Sequence, residues 1–156
     1  MLFYLSIIYK RNTEMKRRLA REYAFKLIYE NGVQTEKEAA QLIADTAEAQ
    51  EFEPDEYIVR TVRGVGEKRE ELDALISENA KGWKLERLSL ASLSIMRLAV
   101  YEMLYVEDVP FSVAINEAVE LAKTYDHDKS PKFINGILNA IAEQKGLKAP
   151  KKEDNN

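Results

Sequence analysis

The sequence has 156 residues, of which 46% are hydrophobic, and a formal net charge of −4, and this length is enough for one domain with a buried core. It contains no cysteine, which excludes disulfides, thiolate metal sites and catalysis by a thiol. Because it has a single histidine and no apolar run near the ~20 residues of a membrane span, we also expect no histidine-based metal centre, no cofactor and no membrane contact.

The first residues, Met1 to Tyr9, are apolar and aromatic, but basic residues follow them instead of preceding them. We therefore expect no secretory signal and a cytoplasmic protein. A coherent helical pattern starts at Met15, so residues 1–14 are expected to be an N-terminal extension from an upstream start codon. Residues 15–147 then form the domain, and the polar residues 148–156 form a disordered tail.

Apolar residues recur with the period of an α-helix, and Gly and Pro fall between the periodic segments. The pattern predicts an all-α single domain of six or seven helices. The first predicted helix covers 16–30 and is ended by Asn31-Gly32. A capping box at Thr35 and Glu38 opens the second, which ends before Pro54, and a helical region from Asp55 to Gly82 follows. The later helices are predicted over 89–105, from Val109-Pro110 onward, and from Ser130-Pro131 to Gly146.

Charge is distributed unevenly along the chain. Residues 10–21 contain six basic residues and one acidic residue, a net charge of +5, so the remainder carries −9. Four of these cations, Lys16, Arg17, Arg18 and Arg21, open the first predicted helix, where they oppose the helix dipole. This unfavourable placement favours a role in binding, because closely spaced Lys and Arg neutralise successive phosphates. A solvated helix end is the alternative.

Two aromatic residues extend this interpretation. Tyr29 follows the basic cluster by about two helical turns, and Phe133 follows Lys132 in the first turn of the last predicted helix. A ring beside a cation is suited to stack an unpaired RNA base while the cation holds its phosphate. Packing in the core is the alternative for both rings, and the sequence leaves it open.

No catalytic constellation is present in the sequence. It has neither a phosphate-binding glycine loop nor a serine in a nucleophile elbow. His127 lies between Asp126 and Asp128, in a segment that we expect to be a solvated loop. The chain is therefore not expected to be an enzyme.

Three polar or small residues interrupt apolar helical stretches. For Asn116 and Asn135 we expect a buried side chain that satisfies backbone groups across a helix junction. For Gly136 we expect a close approach between helices. All three are thus expected to be structural residues.

Four segments resemble the NusB family of bacterial transcription antitermination factors. They are RRLARE at 17–22, MRLAVYEM at 96–103, VPFSVAINEAVELAK at 109–123 and KFINGIL at 132–138. They occur in the family's order within about residues 15–146, and the last two together are quite specific. The stretch 31–81 is similar only in its helical character.

The resemblance implies an all-helical fold of two packed helical subdomains, binding to the single-stranded boxA element of ribosomal RNA transcripts, and a heterodimer with NusE, a small-subunit ribosomal protein. That pair, with NusA and NusG, makes RNA polymerase pass terminators, and no reaction is catalysed. The RNA contacts that it implies are Lys16, Arg17, Arg18, Arg21, Tyr29, Lys132 and Phe133. The residues that it places near NusE are Trp83, Arg97, Tyr101 and Glu102.

Three residues depart from the family's pattern. Ser92-Leu93 stand where the family often has a charged pair, and Lys129 stands where other members can be acidic. We expect the positive charge of Lys129 to strengthen a contact with phosphate. Two other functions remain as alternatives: a helical protein-interaction adaptor, and an accessory RNA-binding module in ribosomal RNA maturation, as in the N-terminal domain of a ribosomal RNA cytosine methyltransferase. Whether the free protein forms a homodimer is left open.

Overall fold

The structure is a computed structural model that describes residues 2–33, 39–50, 55–82 and 84–148, with side chains from Lys16 onward. This part of the chain forms seven α-helices and one short 3₁₀ turn, and it contains no strand. The helices are α1 Leu2–Val33, α2 Ala39–Gln50, α3 Glu56–Glu67, α4 Arg69–Asn79, α5 Leu90–Tyr105, α6 Phe111–Tyr125 and α7 Ser130–Gln144, and the 3₁₀ turn is Leu85–Arg87. The expected all-α class is confirmed.

The chain divides into two compact helical units, Met1–Arg69 and Glu70–Asn156. In the first unit, α1 packs on α3, and α2 contacts both of them. Buried apolar side chains from each helix form the core of this unit: Ala24, Leu27, Ile28, Leu42, Ile43, Ile58, Val62 and Val65. Asp55 caps α3, because its Oδ1 accepts a hydrogen bond of 2.9 Å from the Ile58 N–H.

In the second unit, α5 packs against both α6 and α7, which also pack on each other. Every residue of α5 from Ser92 to Met103 is buried, as expected for a helix that is apolar on all sides. Side chains with at most 1% exposure fill this core: Ile95, Met96, Leu98, Ile134, Leu138 and Ile141. Each of them stabilises the fold by about 1.5–3 kcal/mol.

The first helix differs from its predicted limits. The segment 16–21 lies in the interior of α1, which begins at Leu2, so its cations do not oppose a helix N-terminus. The helix also continues through Asn31-Gly32 to Val33, so the predicted stop there is wrong. Thr35 and Glu38 lie outside the described residues.

The later boundaries follow local sequence rules more closely. Gly82 and Gly146 adopt positive φ angles of 78° and 67°, which suits glycine at the end of a helical segment. Ser89 caps α5 by accepting a hydrogen bond from the Ser92 N–H. The last helix begins one residue earlier than predicted, since Ser130 is its first residue and Lys129 its N-cap.

The structural roles expected for three polar or small residues are wrong. Asn116, Asn135 and Gly136 are all exposed. Asn135 accepts hydrogen bonds from the Asn139 amide within the same helix, at its backbone oxygen (2.9 Å) and at Oδ1 (3.2 Å). A Cβ added to Gly136 would meet no atom within 4 Å. These residues occupy the outer faces of amphipathic helices.

Within the part of the chain that the structure describes, no helix combines the length and the apolar character needed to cross a membrane.

Neighbouring residues of α7 test this assignment of faces. We expect Ile134→Ala, at a fully buried position, to lower the free energy of unfolding by about 2–5 kcal/mol. Asn135→Ala, at an exposed position, should change it by only about 0.5 kcal/mol. Urea unfolding followed by circular dichroism measures both, and an Asn135→Ala loss as large as that of Ile134→Ala would contradict the assignment.

Candidate nucleic-acid interface

The basic cluster on α1 presents its side chains unequally. Lys16 and Arg18 are exposed, and Arg17 is half-buried. The Arg17 guanidinium carbon lies 4.4 Å from the centre of the Tyr57 ring on α3, a cation–π contact worth about 0.5–1 kcal/mol near the surface. This contact fixes Arg17 against α3, while the two exposed cations on either side of it face solvent.

Tyr29 lies further along the same helix and is 42% exposed. Its ring is tilted against that of Phe25, with the two centroids 6.3 Å apart, and Phe25 itself is buried. Core packing therefore accounts for Phe25 but not for Tyr29. One side of the Tyr29 ring is held by protein, and the rest is open to a ligand.

In the second unit, the start of α5 and the start of α7 border a groove of about 470 Å³. The half-buried ring of Phe133 forms part of its wall. The groove combines this ring with the two cations Arg87 and Lys129, and the exposed Lys132 lies next to Phe133. Among the residues that the structure describes, its lining is Arg87, Leu88, Ser89, Ser92, His127, Lys129, Ser130 and Phe133.

The Asp126 carboxylate organises one end of this groove. It accepts hydrogen bonds from the hydroxyl of Ser89, at 3.2 and 3.3 Å from its two oxygens, and from that of Ser92. It also accepts from the His127 N–H at 2.9 Å and from the Ser130 hydroxyl. One carboxylate thus connects the beginnings of α5 and α7 to the end of α6.

Two opposing influences act on the pKa of Asp126. Burial is the largest single one and raises the pKa, because it disfavours the charged form. The hydrogen bonds favour the charged form, and together they prevail. The pKa of Asp126 therefore lies below its ordinary value of 3.8, and the group is a carboxylate at neutral pH.

A family model described as the NusB family matches residues 18–143. The chain belongs to the NusB family. The transcription antitermination protein NusB of Acetivibrio thermocellus is 46% identical over 142 residues, which cover 90% of this chain and 97% of the relative. The alignment thus covers nearly the whole length of both proteins.

Solved structures agree with this membership. T. maritima NusB has 35% identity and a TM-score of 0.76, with 87% of this chain and 94% of that one covered. A structure of antitermination factors NusB and NusE in complex with dsRNA has 25% identity and a TM-score of 0.73, with 82% and 96% covered. The resemblance of this chain to the NusB family and its all-α fold are therefore both confirmed.

The predicted RNA contacts of this NusB-family chain fall in both units. Tyr29 and the α1 cations belong to the first unit, and Lys132 and Phe133 to the second. Arg21 departs from the rest, since it is only 4% exposed. Its expected phosphate contact conflicts with this burial, and we assign Arg21 to the protein interior.

The predicted partner contacts on α5 conflict with the structure in the same way. Arg97, Tyr101 and Glu102 are 4%, 6% and 1% exposed, so the expectation that they touch a partner directly is wrong. Arg97 instead forms a two-point pair with Asp73 of α4, through Nε at 2.7 Å and a terminal guanidinium nitrogen at 2.9 Å. Trp83 lies outside the described residues.

Sequence reasoning missed Arg87, Ser89 and Ser92 as groove residues and Asp126 as their organiser. The spacing of the two serines is the usual N-cap pattern, so it offered a signal for a helix start but not for a groove. No group of three or more acidic residues or His able to hold a metal occurs among the described residues. The side chains that line the groove are aromatic, hydroxyl-bearing and cationic, with Leu88 and His127 beside them.

The lowered pKa of Asp126 has a consequence for stability. Its contribution is fully present above its ordinary pKa of 3.8 and is lost as pH falls from there through the lower pKa of the folded state. We expect the free energy of unfolding to fall less steeply in Asp126→Asn than in the unmodified protein between about pH 5 and pH 2. Urea unfolding over this range measures the difference, and equal slopes would contradict it.

Proposed function

We propose that this protein is an RNA-binding transcription antitermination factor that recognises unpaired RNA of the boxA type together with NusE. The observation that carries the proposal is the groove in which the Phe133 ring lies with the cations Arg87 and Lys129. Membership of the NusB family and the related complex of NusB, NusE and RNA support it.

In the second unit, one unpaired base stacks on Phe133 in the groove, which contributes about 1–3 kcal/mol per base. Arg87 and Lys129 on the groove wall and the exposed Lys132 beside it hold the adjoining phosphates. The two kinds of contact have different roles: the ring selects an accessible base, and the cations contribute affinity that depends on salt concentration.

The first unit offers a second set of the same groups. The exposed Lys16 and Arg18 neutralise phosphates, and Tyr29 offers a partly open ring. Each phosphate contact contributes a slope of about −0.7 in the logarithm of affinity against the logarithm of salt concentration. Binding through both units therefore gives a stronger salt dependence than binding through the groove alone.

Unpaired RNA fits the groove better than a duplex does. The Phe133 ring is half-buried in the groove wall, so a base must leave its helical stack to lie against it. The related complex contains dsRNA, which is bound through backbone and shape contacts when its bases stay paired. Competition between the two forms of RNA is thus a direct test of how the groove is used.

NusE is the proposed protein partner, and NusA, NusG and RNA polymerase complete the proposed cytoplasmic assembly on ribosomal RNA operons. Family membership is the support for these steps. The buried Arg97, Tyr101 and Glu102 contribute to the packing of α5 and are not assigned a direct contact with NusE. No chemical reaction is assigned to the protein.

Fluorescence anisotropy with a labelled boxA RNA, in the presence of NusE, tests the proposal. We expect Phe133→Ala to weaken binding at least about fivefold, because one stacking contact is lost. Lys132→Ala should weaken binding and lower the salt slope by about 0.7. Lys145→Ala is the matched control, because Lys145 is an exposed lysine just after the other end of α7.

Competition with unlabelled RNAs distinguishes the antitermination factor from the protein-interaction adaptor. A scrambled RNA and a boxA duplex should both compete more weakly than unpaired boxA RNA. Equal binding of boxA and scrambled RNA, with no effect of NusE or of Phe133→Ala, would contradict the proposal. That result would favour the protein-interaction adaptor.

A further inference from the structure

We propose that Asp126 is a positioning residue of the RNA-binding groove, which holds Phe133 and Lys129 in place without touching RNA itself. This inference rests on the proposed RNA-binding function. Asp126 is not among the residues that line the groove, but four lining residues donate hydrogen bonds to its carboxylate: Ser89, Ser92, His127 and Ser130.

One side of the carboxylate fixes the start of α5. The Ser89 hydroxyl both accepts from the Ser92 N–H at 2.9 Å and donates to Asp126. The Ser92 hydroxyl donates to Asp126 as well. Because Asp126 ends α6, with its N–H bonded to the Ala122 oxygen at 3.0 Å, the wall that carries Arg87 is tied to the end of α6.

The other side of the carboxylate fixes the turn before α7. The His127 N–H donates to Asp126 at 2.9 Å, and the Ser130 N–H donates to the His127 oxygen at 3.0 Å. The Ser130 hydroxyl also donates a hydrogen bond to the Asp126 carboxylate. Lys129 lies within this closed turn, and Phe133 lies about one helical turn after it. The place of the ring therefore depends on the turn that Asp126 holds.

Electrostatics alone and a positioning role predict opposite changes in RNA affinity when Asp126 is removed. A carboxylate close to a phosphate-binding groove repels RNA, so its removal should strengthen binding if Asp126 has no positioning role. A positioning role predicts that removal weakens binding, because the ring and the cation lose their fixed geometry. The sign of the change in affinity thus separates the two explanations.

The test measures anisotropy with labelled boxA RNA and NusE at several salt concentrations. We expect Asp126→Ala to bind about tenfold more weakly, since four hydrogen bonds to one acceptor group are lost. Its salt slope should fall by at most about 0.7, because Lys129 is the phosphate contact whose position depends on the Asp126 turn. Glu120→Ala is the control for charge, as it removes an exposed carboxylate from α6.

The conservative variant Asp126→Asn keeps one oxygen that can accept from the His127 N–H. We expect it to recover part of the affinity, and it keeps the test open if the alanine variant does not fold. Every variant is first compared by circular dichroism, so that binding is measured on folded protein.

A double-mutant cycle identifies the route of the effect. If Asp126 acts through the ring, Asp126→Ala adds little to the loss already caused by Phe133→Ala. Binding by Asp126→Ala that is as tight as, or tighter than, that of the unmodified protein would overturn the inference, and so would full additivity. Failure of the proposed function has a different signature, because Phe133→Ala itself would then bind as the unmodified protein does.

Discussion

The burial of α5 from Ser92 to Met103 is the constraint on which the second unit depends. A helix that is apolar on all sides must be surrounded by other elements, and α6 and α7 pack on it and on each other. The charged Arg97 within it is accordingly paired with Asp73. Its middle is consequently closed to ligands, and binding chemistry is confined to its ends and to the surrounding helices.

The groove lies at the N-terminal end of this helix. The backbone N–H groups of the first turn need acceptors there, and the Ser89 hydroxyl accepts from one of them, the Ser92 N–H, while it donates to Asp126. The same hydrogen bonds place the turn that carries Lys129 and leads to Phe133. Helix capping and the arrangement of the groove are thus achieved by one polar network.

Local patterns predicted the fold well because they depend on neighbouring residues. The helix starts predicted near Asp55 and Ser89 and the stop at Gly146 all follow from such rules and are confirmed to within one residue. The site was harder to predict, since exposure depends on packing: Arg21 looks like a surface cation in the sequence but is buried. Asp126 gave no signal, because its partners Ser89 and Ser92 are 37 and 34 residues away.

Mapping of RNA-induced chemical-shift changes by NMR, on isotope-labelled protein bound to NusE, tests the central claim most directly. The claim is that RNA occupies the groove at Phe133 and also contacts the exposed cations of α1. It predicts that the largest changes fall on the groove residues His127, Lys129 and Phe133, with a second set at Lys16 and Arg18. Changes that leave the groove unaffected and fall elsewhere on the protein would contradict it.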